Sequence, residues 1–137
     1  MHIVFLTTEY PGITMQSGGI AEYTRKISQE LVTLGYEISI IVSGESDYVK
    51  NEGKINIISF ESLDYWKGID GNLLAQSLRI IRITINSYRF YREVKNLNKK
   101  AKIDVVQSSN YLSPIFFLYN QKCPVICRLS SYAPLLR

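Results

Sequence analysis

The alternation of apolar, strand-like runs with helical segments restricts this chain to an α/β fold more than any other feature. It begins at residues 2–8 (HIVFLTT), a β-branched run typical of strands buried on both faces. Spacing and composition predict further strands at 37–43, 54–60, 104–107 and 124–129, and helices at 20–34, 73–98 and 112–121. The order β-α-β-β-α-β-α-β indicates a layered domain with a mostly parallel sheet.

Composition is consistent with one packed domain. The chain has 137 residues, of which 46% are hydrophobic and 20% are charged, a balance typical of folded domains of ordinary size. The apolar run at residues 3–6 is too short for a signal-peptide core, and four arginines interrupt the apolar stretch at 73–97. We therefore expect a cytoplasmic protein without a membrane-spanning segment.

The cysteines and the histidine form no recognisable disulfide or metal pattern. Cys123 and Cys127 fall on one predicted strand, where four residues at ~3.3 Å each separate them by ~13 Å, which exceeds the ~7 Å limit for a disulfide. His2 is the only histidine, and we expect it to be structural. We therefore predict two small buried thiols, no metal site and no Ser-His-Asp or Cys-His arrangement, and the sequence names no catalytic residue.

The glycine-rich segment before the first helix is a candidate ligand site. Ligands of parallel sheets bind beyond the carboxyl ends of the strands, which selects the segments 8–19, 43–47, 108–111 and 130–132. In the first of them, Ser17, Gly18 and Gly19 offer an accessible backbone and free N–H groups that favour a phosphate. A flexible turn is the alternative. No G-x-G-x-x-G or G-K-[ST] motif occurs, which disfavours NAD and ATP binding in those modes.

The order of these motifs resembles one known family. Residues 9–12 (EYPG), 17–43 (SGGIAEYTRKISQELVTLGYEISIIVS), 103–106 (IDVV) and 124–129 (PVICRL) are similar in order and spacing to the opening of family 4 GT-B glycosyltransferases. Members of that family begin with a strand, Gly-Gly-(Ile/Val), a helix and an LxxxGxxV element, which residues 31–38 match here. The similarity spans most of the chain and is weak across residues 45–100.

The resemblance implies a Rossmann-like domain over residues 1–137 that forms the N-terminal, acceptor-side half of a GT-B architecture, truncated before the donor-binding half. The whole enzyme would be a hexosyltransferase that moves a sugar from a nucleotide sugar to a polysaccharide or lipid-linked acceptor without a further cofactor. The fragment alone is expected to be inactive. Donor phosphates would lie at Ser17, Gly18 and Gly19. Residues expected to bind the acceptor or line its cleft are Tyr10, Ser108, Ser109, Asn110, Tyr111, Arg128, Ser130, Ser131 and Tyr132.

The chain departs from this family at two places. Members often carry a histidine after the fourth strand and another after the fifth, where this chain has QSS at 107–109 and RLSS at 128–131. Ser130 would supply a hydrogen bond in place of the second histidine. The missing histidines favour the alternative function, a non-enzymatic or degenerate α/β ligand-binding module. A flavodoxin-like receiver domain fits less well, because only Glu9 follows the first strand as an acidic residue.

Basic residues are concentrated in one segment. Residues 79–102 hold eight basic side chains and one acidic side chain, in a chain with a net charge of +4. Three interpretations stay open for the segment from Arg79 to Lys102: a peripheral contact with an anionic membrane surface, nucleic-acid binding, which we do not expect, or a solvated helix whose apolar side faces the core. That apolar side consists of Leu74, Leu78, Ile81, Ile85 and Tyr88.

Overall fold

The computed structural model describes residues 1–14, 17–63, 73–110, 112, 114–119 and 121–129. In these residues, two helices flank a six-stranded sheet with the order β3-β4-β2-β1-β5-β6. All neighbouring strands are parallel except β3 and β4, which confirms the predicted Rossmann-like α/β fold with a mostly parallel sheet. The strands are β1 (His2–Thr7), β2 (Glu37–Gly44), β3 (Tyr48–Glu52), β4 (Ile55–Glu61), β5 (Val105–Ser109) and β6 (Val125–Arg128), and the helices are α1 (Gly19–Thr33) and α2 (Leu73–Lys100).

The central strand β1 joins two hydrophobic clusters, one on each face of the sheet. Its side chains alternate, so that Ile3 and Phe5 pack on the side of α1 while Val4 and Leu6 pack on the side of α2. All six residues of β1 are buried, as the continuous apolar run predicts. Each apolar side chain that is fully buried in this way stabilises the fold by about 1.5–3 kcal/mol.

Helix α1 ends at a glycine, as the sequence predicts. Gly35 has a φ of 88°, the left-handed conformation that glycine adopts without strain. Its N–H donates to Val32 O at 3.0 Å, and the N–H of Tyr36 donates to Leu31 O at 3.1 Å. These two bonds form a Schellman motif, and it turns the chain directly into β2.

Strand β3 is absent from the sequence prediction, which placed a polar turn in this region. It pairs with β4 in an antiparallel hairpin whose last pair is Glu52 with Ile55, and Gly53 in the connection has a φ of 62°. The strand lies at the sheet edge, where four of its five residues are exposed. A strand that is exposed in this way needs no alternation of apolar and polar residues, so pattern analysis does not detect it.

The third predicted helix, at 112–121, is wrong. The described residues of this stretch form turns, in which the N–H of Leu118 donates to Ile115 O at 2.8 Å and that of Gln121 donates to Leu118 O at 3.2 Å. These bonds span three residues instead of the four of an α-helix. Leu112 has a φ of 56°, a left-handed conformation that a right-handed α-helix excludes, so the predicted helix does not begin at this residue.

The apolar face predicted for α2 does not lie in the core. Its five residues are between 39% and 71% exposed, and the helix packs on the sheet through Phe90, Val94 and Leu97. The polar residue Asn86 also belongs to the buried face, because its side-chain amide donates to Leu63 O and accepts from Leu63 N–H, both at 3.0 Å. Neither α1 nor α2 is long and apolar enough to cross a membrane within the described residues.

Candidate functional site

The strand order reverses between β1 and β5, and open α/β sheets bind ligands in the crevice at such a reversal. Here a shallow cleft, the switch-point cleft, lies between the start of α1 and the carboxyl ends of β1, β5 and β6. Its enclosed volume is about 10 Å³, which is about the room that one water molecule needs. A ligand would therefore lie across the mouth of the cleft and insert a single polar atom.

The switch-point cleft brings together several residues that the sequence selected. Ser108, Ser109 and Arg128 line it, because β5 and β6 are parallel neighbours in which Ser109 is opposite Arg128. Asn110 adjoins the cleft, and its backbone N–H donates to Arg128 O at 3.0 Å. Four other selected residues lie outside the described residues: Tyr111, Ser130, Ser131 and Tyr132.

Arg128 is the charged group of the cleft. Its guanidinium carbon lies 3.5 Å from the centre of the Tyr23 ring, a cation–π contact that holds the planar group in one orientation. The hydroxyl of Tyr23 in turn accepts a hydrogen bond from Gln107 Nε2 at 3.3 Å. Tyr23 follows Ile20 by three residues and precedes Ile27 by four, a spacing typical of the apolar face of a helix, so the sequence does not indicate it as a cleft residue.

Two serines at the end of β5 differ in their hydrogen bonding. The hydroxyl of Ser108 donates to Ser109 O at 3.0 Å. Ser109 is only 7% exposed, and its hydroxyl has no hydrogen-bond partner among the described residues. A buried hydroxyl without a partner costs about 1–3 kcal/mol, so a polar ligand atom that reached Ser109 would recover this energy.

One N–H group of the glycine segment before α1 is bound by a side chain. The N–H of Gly18 donates to the Glu9 carboxylate at 2.9 Å, so a carboxylate occupies an anion position at the helix start. No side chain among the described residues caps α1, which leaves the other N–H groups of its first turn available. A Cβ added at Gly19 would meet no atom of the residues that the structure describes within 4 Å, so the space beside this residue is open among them. Ser17, two residues before Gly19, is also exposed.

Tyr10 does not reach the cleft. It is 1% exposed and belongs to the hydrophobic cluster on the α1 side of the sheet. Its backbone accounts for this position, because the Tyr10 O accepts from the N–H groups of Ile13 and Thr14 at 3.1 and 3.2 Å and the resulting turn directs the ring inward. Burial raises the pKa of Tyr10 to about 12, as expected for a phenol that loses water on folding.

His2 is structural, as predicted. Its ring is buried and contacts Ser39 Oγ at 2.8 Å and Lys102 O at 3.2 Å. Its backbone N–H donates to the Asp104 carboxylate at 2.8 Å and lowers the pKa of that group. Cys123 and Cys127 are free thiols, and the prediction that both are buried on one strand is wrong, because Cys123 is half-buried before β6 and Cys127 is exposed on the edge strand β6.

Two larger clefts lie away from the carboxyl ends of the strands, beside the second half of α2 and the segment that precedes β6. Their volumes are about 350 and 360 Å³, and they share Asn98 and Lys122. The position of a ligand site follows from the strand reversal and not from cleft size, so we place the candidate site at the switch-point cleft. Within the described part of the chain, no three histidine, cysteine or acidic residues are grouped as a metal site would require.

The resemblance to family 4 GT-B glycosyltransferases rests on the sequence motifs quoted above, because comparisons with known proteins add no match to it. No protein-family model matches this chain, and no curated protein matches it.

Proposed function

We propose that this chain is the N-terminal, acceptor-side domain of a family 4 GT-B glycosyltransferase. The whole enzyme would transfer a sugar from a nucleotide-sugar donor to a polysaccharide or lipid-linked acceptor. The order of motifs from residue 9 to residue 43 supports this assignment, as does the parallel sheet whose strand order reverses beside α1. The donor phosphates would approach the start of α1, and the acceptor would lie across the switch-point cleft.

The observation that carries the proposal is the open space at Gly19. Glycine lowers helix stability, so its presence in the first turn of α1 calls for a reason. Its φ is not left-handed, unlike those of Gly12, Gly35 and Gly53, and no neighbouring atom of the described residues lies within 4 Å of its missing Cβ. Neither the backbone nor the packing therefore requires glycine here. A ligand that contacts the backbone closely would require it.

The chemistry of this half would be electrostatic. Free N–H groups and the positive end of the α1 dipole would stabilise the negative charge that develops on the leaving diphosphate. The Glu9 carboxylate, which now accepts from Gly18 N–H, would compete with a phosphate for the same donor. The remaining contacts to the nucleotide would come from a second domain, since transition-state stabilisation in this architecture is shared across the cleft between two domains.

A transfer assay tests the proposal. The complete gene product is incubated with UDP- and GDP-sugars and with glycan or lipid-linked acceptors, and release of nucleoside diphosphate is measured. We expect acceptor-dependent release by the gene product and none by residues 1–137 alone, because half of the donor contacts would be missing. Turnover by residues 1–137 alone would contradict this division of roles. A gene product that releases no nucleotide would favour the non-enzymatic ligand-binding module.

We further propose that α2 contacts an anionic membrane at its cytoplasmic face. The helix carries seven basic residues and one acidic residue, and five apolar side chains on one side of it are exposed. A helix that presents both basic and apolar groups to the outside fits the boundary between lipid headgroups and acyl chains. Each basic residue near an anionic surface contributes about 1 kcal/mol. Such a contact would bring the cleft to a lipid-linked acceptor.

Leu74 and Leu34 provide a matched test, because each is 71% exposed, and Leu74 lies on α2 whereas Leu34 caps α1 on the opposite face of the sheet. We expect Leu74→Glu to weaken binding to phosphatidylglycerol-containing vesicles about tenfold, since it removes apolar contact and adds repulsion. We expect Leu34→Glu to have no effect. Flotation of the protein with anionic and with purely zwitterionic vesicles measures this difference. Equal binding to both vesicle types, or equal effects of the two substitutions, would contradict the proposal.

A further inference from the structure

The guanidinium of Arg128 is oriented by an aromatic ring, and no counterion for it lies among the described residues. It stacks 3.5 Å from the centre of the Tyr23 ring, and Tyr23 is itself held by the hydrogen bond from Gln107. Among the described residues, the guanidinium makes no hydrogen bond and no ion pair. It is half-buried at the end of β6, and it is the one charged group among the described residues that line the switch-point cleft. The stack covers one face of the group and leaves its N–H edge for another partner.

Ser109 is a second, independent indication of a ligand in the same cleft. Its hydroxyl is buried without a partner among the described residues, and the residue is 7% exposed. Ser109 lies opposite Arg128 in the pairing of β5 with β6. A fixed cation and an unsatisfied hydroxyl therefore line one small space.

We propose that Arg128 and Ser109 bind one oxyanion, a phosphate or a carboxylate, at the switch-point cleft. Both groups donate hydrogen bonds, and a guanidinium edge matches two oxygens of an oxyanion. The enclosed volume of about 10 Å³ admits a single oxygen, so the rest of the ligand lies outside. A neutral sugar hydroxyl would leave the charge of Arg128 without a counterion, which makes an anionic ligand the better match.

This inference deepens the proposed function in one respect. The assignment of the oxyanion to the acceptor rests on the proposed function, and it predicts an acceptor that carries a sugar phosphate, a lipid phosphate or a uronic acid. The binding of an oxyanion by Arg128 does not depend on transferase activity. The test therefore measures binding to the 137-residue chain, separately from nucleotide binding at Gly18 and Gly19.

The chain is titrated with methyl phosphate, with methyl glucuronide and with neutral methyl glucoside, and amide shifts are followed by NMR. We expect saturable shifts at Ser109 and Asn110 with one or both anions and none with the neutral sugar. The stronger anion identifies the phosphate or the carboxylate class. Arg128→Gln is expected to weaken binding about tenfold or more, and Arg128→Lys less, since lysine keeps the charge and loses the planar pair of donors. Ser109→Ala is expected to weaken it several-fold.

Lys26→Gln is the control, because it removes one positive charge from an exposed position of α1. We expect it to leave anion binding unchanged, and the spectrum of each variant shows whether it is folded. Binding that is unchanged in folded Arg128→Gln, or equal loss in Lys26→Gln, would overturn the proposal, as would absence of shifts with both anions. If the gene product binds an oxyanion but no nucleotide, the oxyanion site at Arg128 stands. Only the assignment of that oxyanion to a transferase acceptor is then overturned.

Discussion

Replacing Phe90 with alanine is expected to lower the free energy of unfolding by about 4 kcal/mol. Phe90 is 1% exposed and meets Phe60 of β4 edge-on, with ring centres 4.8 Å apart and planes at 84°. It is the largest fully buried side chain among the described residues of α2, so its loss leaves a cavity between two layers. Small domains are stable by only about 5–15 kcal/mol, and this substitution would therefore remove a large fraction of the total.

Ile81→Ala is the matched control for Phe90→Ala. Ile81 belongs to the face of α2 that spacing selected as buried, whereas the structure leaves it 52% exposed. We expect a change of about 0.5 kcal/mol or less, as for ordinary surface positions. Urea denaturation followed by circular dichroism measures both variants. A larger destabilisation by Ile81→Ala than by Phe90→Ala would show that α2 packs through the face predicted from the sequence.

The sequence was sufficient to predict most of the sheet, since β1, β2 and β4 are apolar runs buried between two layers. What it could not predict depends on contacts between distant residues. Asn86 is buried because its amide pairs with the backbone of Leu63, a bond that spans 23 positions. Apolar spacing assigns a polar residue such as Asn86 to the surface. The prediction from spacing therefore selected a face of α2 that the structure leaves exposed.

The sequence indicated where the candidate site lies but only some of the residues that line it. The rule that ligands bind at the carboxyl ends of parallel strands selected Ser108 and Ser109, and the structure brings them to one cleft with Arg128. The contact of Tyr23 with Arg128 joins α1 to β6, and no local pattern encodes it. Tyr10 was selected because it follows β1 in a loop, but a local turn directs its ring into the core.

The second large effect is expected at Gly19. The substitution Gly19→Trp would place an indole in the open space beside the first turn of α1, where the proposed diphosphate contacts the backbone. The helix itself should tolerate the change, because no atom in the described part of the chain lies within 4 Å of the added Cβ. We expect nucleotide affinity to fall about tenfold or more, which corresponds to about 1.4 kcal/mol or more. Gln29→Trp, which places the same indole at an exposed position of α1, should leave the affinity unchanged.

Calorimetric titration of the complete gene product with UDP and with GDP tests the central claim most directly, with Gly19→Trp and Gln29→Trp measured in parallel. The account predicts binding of one of the two nucleotides with a dissociation constant on the order of 1 μM, weakened by Gly19→Trp alone. Failure to bind either nucleotide, or binding that Gly19→Trp leaves intact, would contradict the claim that the glycine segment at α1 contacts the donor diphosphate.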